Sequence, residues 1–84
     1  MRFFGSYQWR DARRIVYVPL RAAATDSHEF RQYDVLTREN VALTDPLTQP
    51  LAIAGDDWTV APGGRHIAFV DSRDRAIWVL ALEP

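Results

Sequence analysis

The residues of this chain that could take part in covalent chemistry are few, and their spacing does not favour catalysis. Asp26-Ser27-His28 contains the residue types of a hydrolytic triad. Neighbours in sequence do not place a nucleophile against its base, and the sequence has no Gly-x-Ser-x-Gly nucleophile elbow. We therefore interpret this segment as a solvated loop, and we predict no catalytic residue and no enzymatic activity for the chain.

Metal binding is the second chemistry to consider. His28 and His66 each carry an imidazole, but the sequence has no Cys, and the two His do not stand at the short spacings of a metal site. The acidic turns at 56–57 and 71–74 could offer oxygen ligands to calcium, yet they lack the spacing of an EF-hand loop. Asp and Ser in such short turns usually bond to their own backbone. We predict no metal ion and no cofactor.

Two further motifs could serve binding. Gly63-Gly64 could approach a phosphate, but no Gly-x-Gly-x-x-Gly pattern follows, and a hairpin turn explains the pair. Trp9, Trp58 and Trp78 could form a stacking platform for a ligand. Because they stand at strand spacing beside Ile and Val, we predict that they belong to the core instead.

Composition limits the classes of partner. The 84 residues carry ten basic and eleven acidic side chains, a net charge of -1, which gives no electrostatic preference for nucleic acid or for an anionic membrane. All ten basic residues are Arg; this suits carboxylate or phosphate recognition, but a compositional bias of the genome is the favoured explanation. The longest apolar run, 76–82, is too short to span a membrane, and the first residues lack the core of a signal peptide. The sequence assigns no compartment.

The elements that would position these residues are predicted to be β-strands throughout. Residues 57–60 alternate polar and apolar side chains, Pro62-Gly63-Gly64 breaks the chain, and 65–70 resumes as a β-branched and aromatic run. After a polar turn at 71–74, residues 76–82 are apolar on both faces, which predicts burial on both sides. Residues 13–18 repeat 65–70 almost type for type, at an offset of 52.

The whole chain is thus predicted to be all-β. Strands are expected near 4–9, 13–18, 29–35, 40–44, 53–60, 65–70 and 76–82. Residues 19–27 have no strand period and are predicted to form a loop, and Pro46 and Pro50 mark a connector between the two repeats.

These motifs together resemble the blades of a TolB-like β-propeller, a relative of the WD-type repeats. The stretch from Tyr33 to Asp45 resembles the family's Tyr-Asp-Leu-Glu-Thr-Gly-Lys-Val-Thr-Arg-Leu-Thr-Asp without a gap. Residues 60–75 resemble its Trp-Ser-Pro-Asp-Gly turn, the strand after it, and its Ser-Asp-Arg-Asp-Gly turn. Val60, Gly63 and Ala81 depart from the family's Trp, Asp and Asp, and we expect Trp58 to fill the space of the missing Trp.

The resemblance implies two blades, residues 1–45 with four strands and residues 46–84 with three, the outer strand of the second being absent. It implies a fold and no chemistry. We expect a non-catalytic, self-assembling scaffold or a module that binds a protein or small ligand, for instance through loop 19–27. The alternative is a piece of the gating propeller of a larger hydrolase of the prolyl-peptidase type.

Two blades cover only the pair of faces between them, so the outward faces are expected to stay apolar. We expect a closed homo-oligomer of three chains, with four as the second possibility. The outward-facing side chains are expected among the following residues: Ile15, Tyr17, Phe69, Ile77 and Trp78.

Overall fold

The structure, a computed structural model, describes residues 6–19 and 27–83, and within them the chain is all-β. The strands are β1 (Ser6–Trp9), β2 (Arg14–Val18), β3 (Arg31–Asp34), β4 (Asn40–Ala42), β5 (Ile53–Val60), β6 (His66–Asp71) and β7 (Ile77–Ala81). Each lies in a predicted strand or extends it by one residue, so the prediction of seven strands is confirmed. Residues 4 and 5 of the first prediction, and 20–26 of the predicted loop, lie outside the described residues.

The strands form two antiparallel sheets, each built from consecutive hairpins. The first sheet has the order β1-β2-β3-β4, and the second sheet has the order β5-β6-β7. The ladder of β5 shifts register between Ile53 and Trp58, where Gly55 adopts a φ of 57° that favours glycine. Among the described residues, the first sheet has four strands and the second sheet has three.

The turns β3–β4 and β6–β7 have the same construction. Each begins with an aspartate, Asp34 or Asp71, whose carboxylate accepts backbone N–H groups two or three residues further on. Each also contains an arginine with a φ of 63° four residues after that aspartate, Arg38 or Arg75. The aspartate carbonyl accepts the N–H of that arginine at 2.7 Å in the first turn and 2.8 Å in the second. One local sequence rule thus closes the outer hairpin of both sheets.

The core lies between the two sheets and draws on both of them. Its buried members are Val16, Val18, Phe30, Leu51, Ile53, Trp58, Ile67 and Phe69. The rings of Phe30 and Trp58 meet edge to face, 5.2 Å between centroids. Trp58 is 6 % exposed, and its indole N–H donates to the Ser6 hydroxyl at 2.8 Å. Residues distant in sequence therefore join the sheets through one apolar layer.

The strand β7 departs from the predicted burial on both sides. Ile77 is 74 % exposed and Val79 is 62 % exposed. Both lie on the face of the second sheet that turns away from the first sheet, because they pair with Val70 and Ala68 rather than with the buried residues of β6. Both faces of β7 are apolar, as the sequence indicates. The prediction that both are buried is wrong, because the face with Ile77 and Val79 is exposed.

Candidate interaction surfaces

Of the candidate triad, the structure describes Ser27 and His28, and the His28 side chain is bonded to another segment. The backbone N–H of His28 donates to Leu51 O at 2.9 Å, and its Nδ1 accepts the N–H of Ile53 at 3.0 Å. This imidazole joins the segment before β3 to the segment before β5. Asp26 lies outside the described residues. His28 thus has a structural use that its neighbours in sequence did not indicate.

Three of the candidate metal and phosphate residues, Asp71, Gly63 and Gly64, form turns. Among the described residues, no three His, Cys, Asp or Glu side chains are grouped as metal ligands. Asp71 binds its own turn and pairs with Arg73 at 2.8 Å, while His66 is exposed on β6. Gly63 and Gly64 have φ values of 93° and 70° in the β5–β6 turn.

The Asp71 pKa is lowered to about 2, mainly by the hydrogen bond from the Arg73 side chain and then by the backbone N–H of that residue. Burial of the carboxylate acts in the opposite direction. At Asp34 burial opposes ionisation, but the N–H groups of Thr37 and Leu36 outweigh it, and the pKa is lowered. Both shifts arise from turn closure, so they mark structural carboxylates.

A buried arginine locks the two sheets together at one end. Arg10 is 8 % exposed, and its Nε donates to Gly64 O at 2.7 Å. Its terminal nitrogens donate to Gln32 Oε1 at 2.6 Å and to the carbonyl of Glu83. Burial, and then the charge of Arg14, lower its pKa. Gly64 is required here because a Cβ would stand 2.7 Å from Arg10 O.

A second polar link joins the two innermost strands, β1 and β5. The Gln8 side chain donates to Trp58 O at 2.6 Å and accepts the N–H of Val60 at 3.0 Å. The Gln8 amide therefore binds the backbone groups that flank Thr59 in β5, as the backbone of a neighbouring strand would. The sequence did not indicate Arg10 or Gln8, because their partners lie 22 to 73 residues away.

The face of the first sheet that turns away from the core is aromatic. Residues Tyr7 and Trp9 of β1 are each 54 % exposed, and they pair with Tyr17 and Ile15 of β2. The row continues to Tyr33 of β3. Tyr17 itself is buried, and its hydroxyl accepts a hydrogen bond from the Asn40 side chain. We name this surface the aromatic face, comprising Tyr7, Trp9, Ile15, Tyr17 and Tyr33.

The face of the second sheet that turns away from the core is aliphatic. It carries Ala68 and Val70 of β6 and Ile77 and Val79 of β7, with Thr59 of β5 beside them. We name the four apolar residues the aliphatic face. Apolar side chains exposed together in this way are typical of an interaction surface.

The pairing registers match the two sheets residue by residue. Aligning β1-β2-β3 with β5-β6-β7 equates Tyr7 with Trp58, Trp9 with Val60, Ile15 with Ile67, Tyr17 with Phe69, and Tyr33 with Leu80. The same alignment equates Gln8 with Thr59, Val16 with Ala68, and Gln32 with Val79. The aromatic face thus corresponds to the side of the second sheet that packs on the first. The aliphatic face corresponds to the side of the first sheet that packs on the second.

The tryptophans and the expected outward residues separate accordingly. Trp58 is in the core as predicted, but Trp9 lies on the aromatic face and is half exposed. Trp78 shares a row with Trp58 and Phe69, which places it on the side toward the first sheet, where it remains 48 % exposed on the edge strand. The prediction of a core position is therefore wrong for Trp9 and Trp78. Phe69 faces inward, whereas Ile15, Tyr17 and Ile77 lie on outward faces.

The geometry defines a class of molecule, an all-β protein of two packed antiparallel sheets with an apolar face left outward on each side. No family model, no curated protein and no solved structure matches this chain. No helix in the described part of the chain is long and apolar enough to cross a membrane.

Proposed function

We propose that this chain is a non-catalytic fragment of a β-propeller, each sheet being one blade, and that it acts as a self-assembling scaffold or interaction module. The observation that carries the proposal is the register match between the sheets. In this alignment, the outward face of each sheet corresponds to the face of the other sheet that is covered within the chain.

The contact between blades within one chain supplies the template for the contact between chains. In it, the side of the first blade that carries Gln8 and Val16 packs on the side of the second blade that carries Trp58 and Ile67. If the same arrangement repeats, the aliphatic face of one chain packs on the aromatic face of the next. Because the two surfaces differ, the association is head to tail, and it must close into a ring or continue as a filament.

Closure into a ring is favoured by the number of blades in the propeller that this chain resembles. Three chains would give six blades, and four chains would give eight. Each contact would bury about 1,600 Å² if it reached the size of a standard interface. The energetic reason is the removal of exposed aromatic and aliphatic side chains from water, at roughly 25 cal/mol for each Å² of apolar surface.

The proposed role does not require a residue to react. A closed ring presents turns and loops at its two ends, where a rigid scaffold can hold them against a protein or a small ligand. Among the described residues, the side chains of His28, Asp11, Asp34 and Asp71 are used in turns and links within the chain.

The mass in solution tests the proposal. We expect light scattering at micromolar concentration to give three times the chain mass of 9.6 kDa. Val79→Glu places a charge on the aliphatic face and should reduce the mass to that of one chain. Leu47→Glu is the control, because Leu47 is exposed in the connector between the sheets and lies on neither face. A monomer at these concentrations, or equal masses for the two variants, would contradict the proposal.

A further inference from the structure

The outer strands of the two sheets leave a cleft between them. The first sheet has a fourth strand, β4, and the second has no described strand beyond β7. A cleft of about 480 Å³ lies here, with Gln32, Val41 and Leu43 on one side and Ala81 and Leu82 on the other. Val41 is 42 % exposed in it. Arg10 and Glu83 also line the cleft, and it adjoins the core at Leu43 and Leu82, which pack against the buried cluster.

The backbone of β7 offers hydrogen bonds along this cleft. The N–H of Asp71 donates to Ala76 O at 2.9 Å, and the N–H of Leu82 donates to Arg65 O at 2.7 Å. These bonds orient Ala76 and Leu82 toward β6. In an antiparallel strand, the N–H and C=O groups of successive residues point to alternate sides. The N–H and C=O groups of Ile77, Val79 and Ala81 therefore point away from β6, to the outer edge of β7.

The first sheet shows what such an edge binds. Asp34 of β3 has the register position of Ala81, and its N–H donates to Glu39 O, next to β4, at 2.9 Å. The outer strand β4 pairs there through Arg31–Ala42, Gln32–Val41 and Tyr33–Asn40. The corresponding partners for a strand beside β7 are Trp78, Val79 and Leu80.

We propose that this edge of β7 binds one extended segment of a partner polypeptide, which adds to the second sheet as an antiparallel fourth strand. In the register that β4 has on β3, the segment places small side chains toward Val41 and Leu43, and aliphatic side chains beside Ile77 and Val79. Main-chain hydrogen bonds would supply affinity, and the alternation of small and aliphatic residues would supply specificity. The edge and the cleft lie beside the aliphatic face, with which this binding site shares Ile77 and Val79.

The space favours a single strand over a second folded copy. A copy that joined through its own β7 would extend the second sheet by three strands. Its β4 would then fall where the β3 of the first copy already lies, because each first sheet extends one strand beyond its β7. The occupant is therefore a segment that reaches the cleft in extended form.

Fluorescence anisotropy with a labelled peptide tests this proposal on the full chain. The probe is a fluorescein-labelled peptide with the sequence of residues 38–45, which contains β4, compared with a scrambled peptide of the same composition. We expect saturable binding of the first peptide that is at least tenfold tighter than binding of the scrambled one. Absence of binding, or equal binding of both peptides, would overturn the proposal.

Two pairs of variants locate the binding. Val41→Lys fills the cleft with a charged side chain and should weaken binding at least tenfold, while Leu36→Lys, in the exposed β3–β4 turn, should not. Ala81→Pro removes an N–H of the open edge without removing a bond to β6, and Ala81→Ser retains it. Equal binding within either pair would overturn the proposal. Light scattering on each variant separates loss of peptide binding from loss of self-assembly.

Discussion

Arg38 and Arg75 occupy backbone conformations that usually belong to glycine. Each has a φ of 63°, in the left-handed region where a Cβ costs about 1 kcal/mol or more. The TolB-like turns that these segments resemble have Gly at the same place. The closing carbonyls, those of Asp34 and Asp71, bind the arginine N–H in both turns, so the geometry is fixed by the turn and not by the side chain.

We therefore expect Arg75→Gly to stabilise the chain. Relief of the left-handed strain exceeds the added freedom of the unfolded chain, and the gain should be about 1 kcal/mol in the free energy of unfolding. Chemical denaturation measures it. Arg75→Ala is the control, because it removes the same guanidinium and keeps the Cβ. If Ala stabilised the chain as much as Gly, the side-chain charge and not the backbone would be responsible.

Gly64 differs from Gly63 in what surrounds it, although both have a positive φ. A Cβ on Gly64 would lie 2.7 Å from Arg10 O, while a Cβ on Gly63 has no atom within 4 Å. We expect Gly63→Ala to cost about 1 kcal/mol through backbone strain alone, and Gly64→Ala to cost more, about 3 kcal/mol, because the Arg10 link must also shift. Thermal unfolding of the two variants gives the comparison, and equal losses would refute the close-approach argument.

At the scale of the elements, the hairpin turns are held by ionised carboxylates. The hydrogen bond from Arg73 lowers the Asp71 pKa from 3.8 to about 2, and the Arg14 side chain has the same effect on the Asp11 pKa. A carboxylate whose pKa is lower in the folded state than in the unfolded state stabilises the fold above its unfolded pKa. That contribution is lost as the pH falls through the folded pKa.

We expect the free energy of unfolding to decrease as the pH falls from about 4 to about 2, and denaturant titrations across this range measure it. Asp71→Asn should make this decrease shallower, because the amide does not titrate. Arg73→Ala should do the same by removing the cation. The double variant should be no shallower than Asp71→Asn alone; additive effects of the two changes would show that the pair does not act as one unit.

At the scale of the whole molecule, the contact between the two sheets has a polar part that the proposed contact between chains lacks. Gln8 bridges Trp58 O and the N–H of Val60 within the chain. Its register equivalent on the second sheet is Thr59, whose side chain is too short to bridge Tyr7 O and the N–H of Trp9 of the next chain. Arg10 corresponds in the same way to Ala61, so its link is not repeated either. The association therefore rests mainly on apolar contact.

Thr59→Gln should strengthen the association. The introduced amide can form the two hydrogen bonds that Gln8 forms within the chain, each worth about 1 kcal/mol net, so the dissociation constant should fall about tenfold or more. Sedimentation across a dilution series measures it. Thr59→Glu has almost the same size but lacks the donor for Tyr7 O, and it should not tighten the assembly. Tightening by both variants, or by neither, would argue against a repeated junction.

The sequence by itself determined the strands, the hairpin turns and the two repeats. These depend on local chemistry: alternation of side chains, Gly and Pro breaks, and aspartates that bond to their own backbone. The amino-acid types also indicated that Asp71 belongs to a turn and not to a metal site, and the structure shows that turn.

Only the tertiary structure decided which face of each strand is covered. Trp9, Trp58 and Trp78 stand in similar apolar stretches, yet only Trp58 is buried, because the packing of one sheet on the other selects a single side of each. The links made by Gln8, Arg10 and His28 join segments 22 to 73 positions apart, and no local pattern encodes such distances. The cleft beside β7 has the same origin, since it exists only because a four-stranded sheet packs against a shorter one.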